Sequence, residues 1–299
     1  MGSLFTKNIE PDYSIFFKNQ PEYERFDDTK FLSVGSNKFR TVSWFPENSP
    51  KAIVIVSHGL HEHALRYYDV AHSLTARGYG VYGIDHYAHG LSSGKRGLIV
   101  DHTILTETFV KFVEWVHSRH PNLVCYILAH SMGTMITITA LKKITTVSAV
   151  VLSGVPLVSG PGVSSPFGIK LLYPLSQTSF AKTLTYIMSS IDPNGAAAPI
   201  FEDALTSNAT ALDELHKDPY HYSGSIKNKT AYELLKMNDV VEADVSGIEI
   251  PFLLLHGTAD TISYPRGATY VMEHAKTPAD KKKLIMLEGY KHEIFFEGE

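Results

Sequence analysis

The strongest constraint on the fold is a series of short apolar runs rich in β-branched residues. They lie at Ala52–Ser57, Tyr79–Ile84, Val124–Leu128, Ala149–Leu152, Phe252–Leu255 and Leu284–Leu287. A strand that is apolar throughout is typical of a parallel sheet covered on both faces, because a half-exposed strand alternates apolar with polar positions. Helical patterns separate most of these runs. The sequence therefore predicts an α/β fold with a mostly parallel, doubly wound sheet.

The helices between the strands and an initial hairpin complete this pattern. Helices are predicted at Tyr68–Ala76, Glu107–Ser118, Met132–Lys143 and Arg266–Ala275. Residues 30 to 45 alternate around Gly35-Ser36-Asn37, which indicates a β-hairpin ahead of the first buried strand.

The alternation of strand and helix stops between Pro156 and Gly247. This interval contains turns rich in Pro, Gly and Ser, and amphipathic pieces at Ile169–Tyr173, Phe180–Met188 and Ala231–Met237, but no strong strand. We therefore predict a core of residues 1–155 and 248–299, interrupted by a mostly helical cap at residues 156–247.

Composition excludes several classes of protein. The chain of 299 residues is 44% hydrophobic and 19% charged, with a net charge of −4 and no basic face, so nucleic-acid binding has no support. It has no apolar run of 18 residues and no secretory pattern at its start. We therefore expect a soluble, cytoplasmic protein, with peripheral contact to membranes or lipid droplets left open.

The first six residues, from Met1-Gly2 to Thr6, fit the N-myristoylation pattern. An ordinary N-terminus is the favoured interpretation. A single acyl chain would give only reversible membrane contact in any case.

The segment Ala129-His130-Ser131-Met132-Gly133 joins a predicted strand to a predicted helix and has a serine at the turn. This arrangement is typical of a nucleophile elbow, whose usual pattern is G-x-S-x-G. Ala129 replaces the first glycine, so the pattern is weakened. On its own the pentapeptide does not distinguish a nucleophile from an ordinary serine turn.

Two later loops supply the partners that a serine nucleophile needs, namely a base and a group that orients it. Asp260 follows the strand Phe252–Leu255, and His292 follows the strand Leu284–Leu287. The chain order Ser, Asp, His is that of α/β-hydrolases. We therefore predict a catalytic triad of Ser131, Asp260 and His292.

An oxyanion hole requires two backbone N–H donors. Met132 follows the nucleophile and supplies one donor by its position. The loop after the strand Ala52–Ser57 contains His58-Gly59-Leu60, and the N–H of Leu60 is the predicted second donor.

These loops resemble those of the monoacylglycerol lipases, in the serine aminopeptidase and lysophospholipase-like branch of the α/β-hydrolase superfamily. Residues 57–63 (SHGLHEH) are similar to that family's H-G-x-G-E-H loop, and residues 85–92 (DHYAHGLS) to its D-H-x-G-H-G-x-S loop. The resemblance extends from Lys30 to His292. It implies hydrolysis of monoacylglycerols to fatty acid and glycerol without a cofactor or metal, and a cap that contacts membranes.

The resemblance also places Glu62 and Arg66 at the polar end that receives glycerol, although a surface ion pair that anchors the loop explains them equally well. His61 and Ala88 replace glycines of the family loops. Leu215 stands where a cap tyrosine is expected, and Phe295 where a second histidine is expected. Both changes would make the alcohol pocket more apolar. The chain also ends seven residues after His292, without the terminal helix usual in the family.

Three alternatives stay open at this point. A lysophospholipase or a broad carboxylesterase would use the same triad on other esters. A hydrolase-fold protein that only binds lipid is disfavoured by the complete triad. A metallohydrolase built on His58, His61 and His63 is weaker still, because no carboxylate completes a ligand set. Substrate chain length and oligomeric state are not indicated.

Overall fold

An eight-stranded sheet forms the centre of the fold. The computed structural model describes residues 31–157 and 179–298, so Gly2 and the predicted helix Ile169–Tyr173 lie outside the described residues. The sheet strands are β1 (Phe31–Val34), β2 (Asn37–Trp44), β3 (Ala52–Ser57), β4 (Tyr79–Ile84), β5 (Cys125–His130), β6 (Val147–Ser153), β9 (Phe252–Gly257) and β10 (Lys282–Leu287). Their spatial order is β1-β2-β4-β3-β5-β6-β9-β10.

The six neighbouring strands β4, β3, β5, β6, β9 and β10 are parallel to one another. The β1–β2 hairpin extends the sheet beside β4, and its strands pair in antiparallel fashion. Alternate residues of β3 enter different clusters, since Ile53 and Ile55 belong to the larger core and Val54 and Val56 to the smaller one. Successive side chains of a strand point to opposite faces. The sheet is therefore buried on both sides, and the predicted fold class is confirmed.

Seven α-helices accompany the sheet in the described residues. They are α1 (Tyr68–Thr75), α2 (His102–Arg119), α3 (Met132–Ala140), α4 (Ser179–Ile191), α5 (Ala209–Lys217), α6 (Asn228–Asp244) and α7 (Pro265–His274). Helix α2 begins five residues before the predicted start at Glu107, because the Asp101 side chain caps it by accepting the N–H of Thr103 at 2.9 Å.

The interval between β6 and β9 contains α4, α5, α6 and a small two-stranded sheet. Strands β7 (Ala196–Ala198) and β8 (Ile226–Lys227) pair in antiparallel fashion. The sequence did not predict them because strands of two or three residues leave no alternation to detect. Among the described residues, none of the helices is both long and apolar enough to cross a bilayer.

Candidate active site

Ser131 lies at the turn between β5 and α3. Its backbone has φ 48° and ψ −122°, a conformation that residues other than glycine rarely adopt. The turn is held by its neighbours, because the N–H of Ser131 donates to the Ser153 carbonyl at 2.9 Å and the Thr134 N–H donates to the Ser131 carbonyl at 2.8 Å. The hydroxyl therefore stands at the N-terminus of α3, where the helix dipole favours negative charge.

The two small residues that flank the elbow have different roles. A Cβ on Gly133 would overlap the carbonyl oxygens of Ser57 and His58, so this position needs glycine. Ala129 is fully buried in β5, where it pairs with Ser57 and Leu152. Its methyl group belongs to the larger core, which explains why alanine is accommodated at the usual glycine position.

His292 and Asp260 are brought to Ser131 by the loops after β10 and β9. His292 Nε2 lies 2.8 Å from Ser131 Oγ, and His292 Nδ1 lies 2.8 Å from Asp260 Oδ2. The other carboxylate oxygen of Asp260 accepts the backbone N–H groups of residues 262 and 263 at 2.9 and 2.8 Å. The three side chains predicted from separate loops thus form one continuous hydrogen-bonded chain.

The two loops are also tied by their backbones. The N–H groups of Thr258 and Ala259 donate to the carbonyls of Leu287 and Tyr290 at 2.9 and 3.0 Å. A Cβ on Gly257 would overlap the Tyr290 carbonyl, so the end of β9 approaches this loop as closely as glycine allows. This packing fixes the separation between the carboxylate and the imidazole.

Electrostatics prepare His292 to act as a base. Burial alone would lower the pKa of His292, but the neighbouring Asp260 carboxylate outweighs burial and raises it above its usual value. Burial opposes ionisation of Asp260 as well, yet the charge and hydrogen bond of His292 lower the pKa of this carboxyl group. Asp260 is therefore ionised near neutral pH and stabilises a protonated imidazole.

The candidate oxyanion donors are the backbone N–H groups of Met132 and Leu60. Met132 is the first residue of α3, where a helical N–H has no acceptor within its helix. Leu60 follows the turn after β3, and both residues line the cavity next to Ser131. A Cβ on Gly59 would lie 3.2 Å from Ser131 Cβ and closer still to the Glu62 carboxylate, so the turn and the serine are in close contact.

A cavity of about 550 Å³ adjoins Ser131 and His292. Most of its described wall is apolar, and it includes Met135, Pro199, Ile200, Phe201, Ile226 and Leu234. The polar residues of the wall are His61, Glu62, Asp203, His221, Thr261 and Glu293, together with the histidine and serine of the triad. An apolar wall with a few polar groups near the reactive serine suits an ester with one apolar and one polar end.

Glu62 is one of the residues that line this cavity. It is almost fully buried, and burial raises the pKa of its carboxyl group to about 7 although Arg66 opposes this change. Its Oε1 lies 3.5 Å from His130 Nε2, and the rings of His130 and His292 are 4.8 Å apart. The carboxyl group is therefore part of the electrostatic environment of the candidate base.

Arg66 is not among the residues that line the cavity, and its place at the polar end stays a prediction. Its guanidinium forms two hydrogen bonds of 2.6 Å with Glu293 and lies 4.0 Å from the centre of the Phe296 ring. The pair is buried, so it anchors the segment after His292 from inside the protein rather than at the surface. Its partner follows His292 directly, a position that sequence spacing did not single out.

Leu215 and Phe295 also lie outside the cavity wall. Leu215 is buried on α5, and Phe295 packs near the rings of Tyr67 and His130 at 6.3 and 6.4 Å. The expectation that these two residues make the alcohol pocket apolar is therefore wrong. The sequence missed His221 and Glu293 as wall residues. His221 reaches the wall through the packing of residues 196–226 against the core, and Glu293 lies there because it follows His292 directly.

The histidines of the 57–63 loop do not form a metal site. His58 has both ring nitrogens engaged, with Gly59 O at 2.8 Å and with the N–H of His86 at 2.9 Å. Within the described ranges, the cluster with suitable ligand spacing is instead Asp101, His102 and Glu233. Its Glu233 carboxylate already pairs with Lys229 and with Lys236, which disfavours a cation there.

A parallel sheet with a serine elbow and an aligned Ser–His–Asp chain defines the class of α/β-hydrolases with serine hydrolase geometry. Residues 48–299 match the family model described as serine aminopeptidase, S33, and the chain belongs to this family. The sequence-based resemblance is thereby confirmed.

Known relatives agree with this assignment. Human monoglyceride lipase is 32% identical over 255 residues, which cover 85% of this chain and 79% of that protein. Monoacylglycerol lipase of Mycolicibacterium smegmatis is 28% identical over 270 residues, covering 90% and 91%. The crystal structure of Paleococcus ferrophilus monoacylglycerol lipase matches with a TM-score of 0.69 at 25% identity, covering 87% of this chain and 93% of that one.

Proposed function

We propose that this chain hydrolyses the ester bond of monoacylglycerols to a fatty acid and glycerol through an acyl-enzyme. The observation that carries the proposal is the alignment of Ser131, His292 and Asp260 at the wall of a largely apolar cavity. The relatives named monoglyceride or monoacylglycerol lipases support the choice of substrate.

The mechanism follows from the hydrogen-bonded chain. Ser131 Oγ attacks the ester carbonyl while His292 Nε2 accepts its proton, and Asp260 stabilises the imidazolium that forms. The N–H groups of Leu60 and Met132 receive the oxyanion. His292 then protonates the departing alcohol, and water hydrolyses the acyl-enzyme with the same base. No cofactor is needed for these steps.

A lysophospholipase or broad carboxylesterase is the second candidate on the same triad. Three carboxylates, Glu62, Asp203 and Glu293, line the cavity, and its described wall contains no lysine or arginine. Arg66 neutralises Glu293, so it is the lack of a cation in the described wall that disfavours a phosphate beside the ester. These functions are separated by measuring turnover of three esters that share one fatty acid: a monoacylglycerol, a lysophospholipid and an ester of a short alcohol. We expect the monoacylglycerol to be preferred.

The triad itself is tested by replacing the serine. Ser131→Ala should abolish both hydrolysis and labelling by a fluorophosphonate probe, because no other group would carry the acyl intermediate. Ser118→Ala is the matched control, since this serine is exposed and its hydroxyl only donates to the Trp115 carbonyl. Undiminished labelling of the Ser131 variant would contradict the assignment.

The proposal includes a cap formed by residues 156–247 over a core of residues 1–155 and 248–299. Support comes from β6 and β9, which pair directly at Val150 and Phe252 although the whole interval separates them in sequence. The interval therefore leaves the sheet after β6 and returns to it at the neighbouring strand β9. Elements of this interval contribute much of the apolar cavity wall.

We further propose that α4 makes peripheral contact with a membrane or lipid droplet in the cytoplasm. Leu184, Ile187, Met188 and Ile191 recur at helical spacing and are between 41% and 76% exposed. Such an apolar stripe suits insertion into a lipid interface. Leu184→Ser should lower co-sedimentation with phosphatidylcholine vesicles, whereas Val124→Ser, at a similarly exposed position before β5, should not. Equal loss in both variants would contradict this contact.

A further inference from the structure

We propose that His61 and His221 form a binding site for the uncharged hydroxyl groups of the substrate's alcohol. This inference rests on the proposed function and adds the residues that select glycerol. It starts from two ring nitrogens, His61 Nε2 and His221 Nδ1, which are buried and have no hydrogen-bond partner among the described residues. Both histidines line the cavity that adjoins Ser131.

Other buried histidines of the described residues also have a ring nitrogen without a partner, and His61 and His221 differ from them in lining the cavity. An unpaired buried polar atom is costly, so a group bound in the cavity is the candidate partner for these two nitrogens. A hydroxyl group of a bound alcohol supplies such a partner. His61 is well placed for this because it follows Leu60, the candidate oxyanion donor. We place the alcohol of the bound ester at the polar part of the wall, which contains His61 and His221, because the acyl chain suits the apolar part.

The His61 side chain is held in a fixed position. Its carbonyl accepts the N–H of Tyr222 at 3.1 Å, and the two rings meet edge to face at 4.7 Å between centres. Residue 61 has φ 68°, where a side chain is strained, and the similar family loops have glycine at this position. Strain that is kept in the wall of a reactive cavity is typical of a functional residue.

The charge state of the pair fits a neutral alcohol. Burial, reinforced by neighbouring histidines, lowers the pKa of His61 well below its usual value, and burial lowers that of His221 to about 4. Both rings are therefore neutral near pH 7. A neutral imidazole donates one hydrogen bond and accepts another, as a hydroxyl group does. Neither ring supplies the positive charge that a phosphate needs.

The experiment measures kcat/KM for monooctanoylglycerol and for ethyl octanoate, which share an acyl chain and differ in hydroxyl groups. His61→Gly and His221→Leu should each lower the ratio of the two values about five- to tenfold, the effect of one lost hydrogen bond. His61→Asn should retain most of the ratio, because asparagine tolerates positive φ and keeps a donor.

Ala88→Gly is the matched control for relief of backbone strain, since Ala88 has φ 62° and does not line the cavity. Its ratio should stay at the wild-type value. If the ratio is unchanged in His61→Gly and His221→Leu while the monoacylglycerol is still hydrolysed, the inference is overturned and the proposed function stands. If the wild-type protein hydrolyses ethyl octanoate but not the monoacylglycerol, this result contradicts both the inference and the proposed function.

Discussion

Gly133 packs directly against the carbonyl of Ser57, so that a Cβ at residue 133 would overlap the carbonyl oxygen. Gly133→Ala should therefore destabilise the protein by about 3 kcal/mol, because two backbone segments must separate. Thermal or chemical denaturation measures this change. Ser131 reactivity toward the fluorophosphonate should fall as well, since the oxyanion turn moves away from the elbow.

Ala129→Gly is the complementary test at the other small residue of the elbow. Although it restores the usual G-x-S-x-G pattern, it removes a fully buried methyl group from β5. We expect a loss of about 1 kcal/mol in the free energy of unfolding and little change in reactivity. A gain in stability would show that the methyl group strains the strand.

The pH dependence of activity should follow His292. This residue must be neutral to accept the serine proton, so kcat/KM falls as the pH drops below its pKa, which Asp260 raises. Asp260→Asn removes that charge. The acid limb should then move to lower pH, and kcat should fall on the order of 10⁴-fold because the imidazole loses its orienting partner. An acid limb that stays in place would mean that another group controls it.

Ala88→Gly should stabilise the fold. Ala88 has φ 62°, and its N–H and carbonyl are both fixed by backbone hydrogen bonds to Ser93 and Gly97. Relief of a left-handed conformation yields about 1 kcal/mol, partly offset by the greater freedom of glycine in the unfolded chain. Ala71→Gly, in the helix α1, should instead cost about 1 kcal/mol. Equal losses at both positions would contradict the strain.

Arg66→Met should destabilise the protein by about 3 kcal/mol or more, because Glu293 is left as an unpaired charge in a buried place. Hydrogen exchange of residues 293–298 should accelerate at the same time. Lys217→Met removes an exposed ion pair with Asp213 and should change the free energy of unfolding by less than about 1 kcal/mol. Similar effects of both substitutions would argue against the anchoring role of Arg66.

The sequence predicted the buried strands well, because a strand that is apolar along its whole length is stable only where both faces of the sheet are covered. Ser131, Asp260 and His292 could be paired before any geometry was known, since each follows such a run. Positions that depend on packing between distant segments could not be predicted in this way. Arg66 pairs with Glu293, a contact that the spacing of the sequence does not show. Leu215 and Phe295 lie outside the cavity wall, whereas His221 is part of that wall.

The direct pairing of β6 with β9 has a consequence for how such proteins diversify. Since the two strands hold each other, the ends of the intervening interval stay adjacent whatever its length or sequence. That interval can be exchanged while the serine, aspartate and histidine loops keep their spacing. Recombination of the interval thus changes the apolar wall and residue 221 together, whereas His61, in the loop after β3, changes only by point mutation.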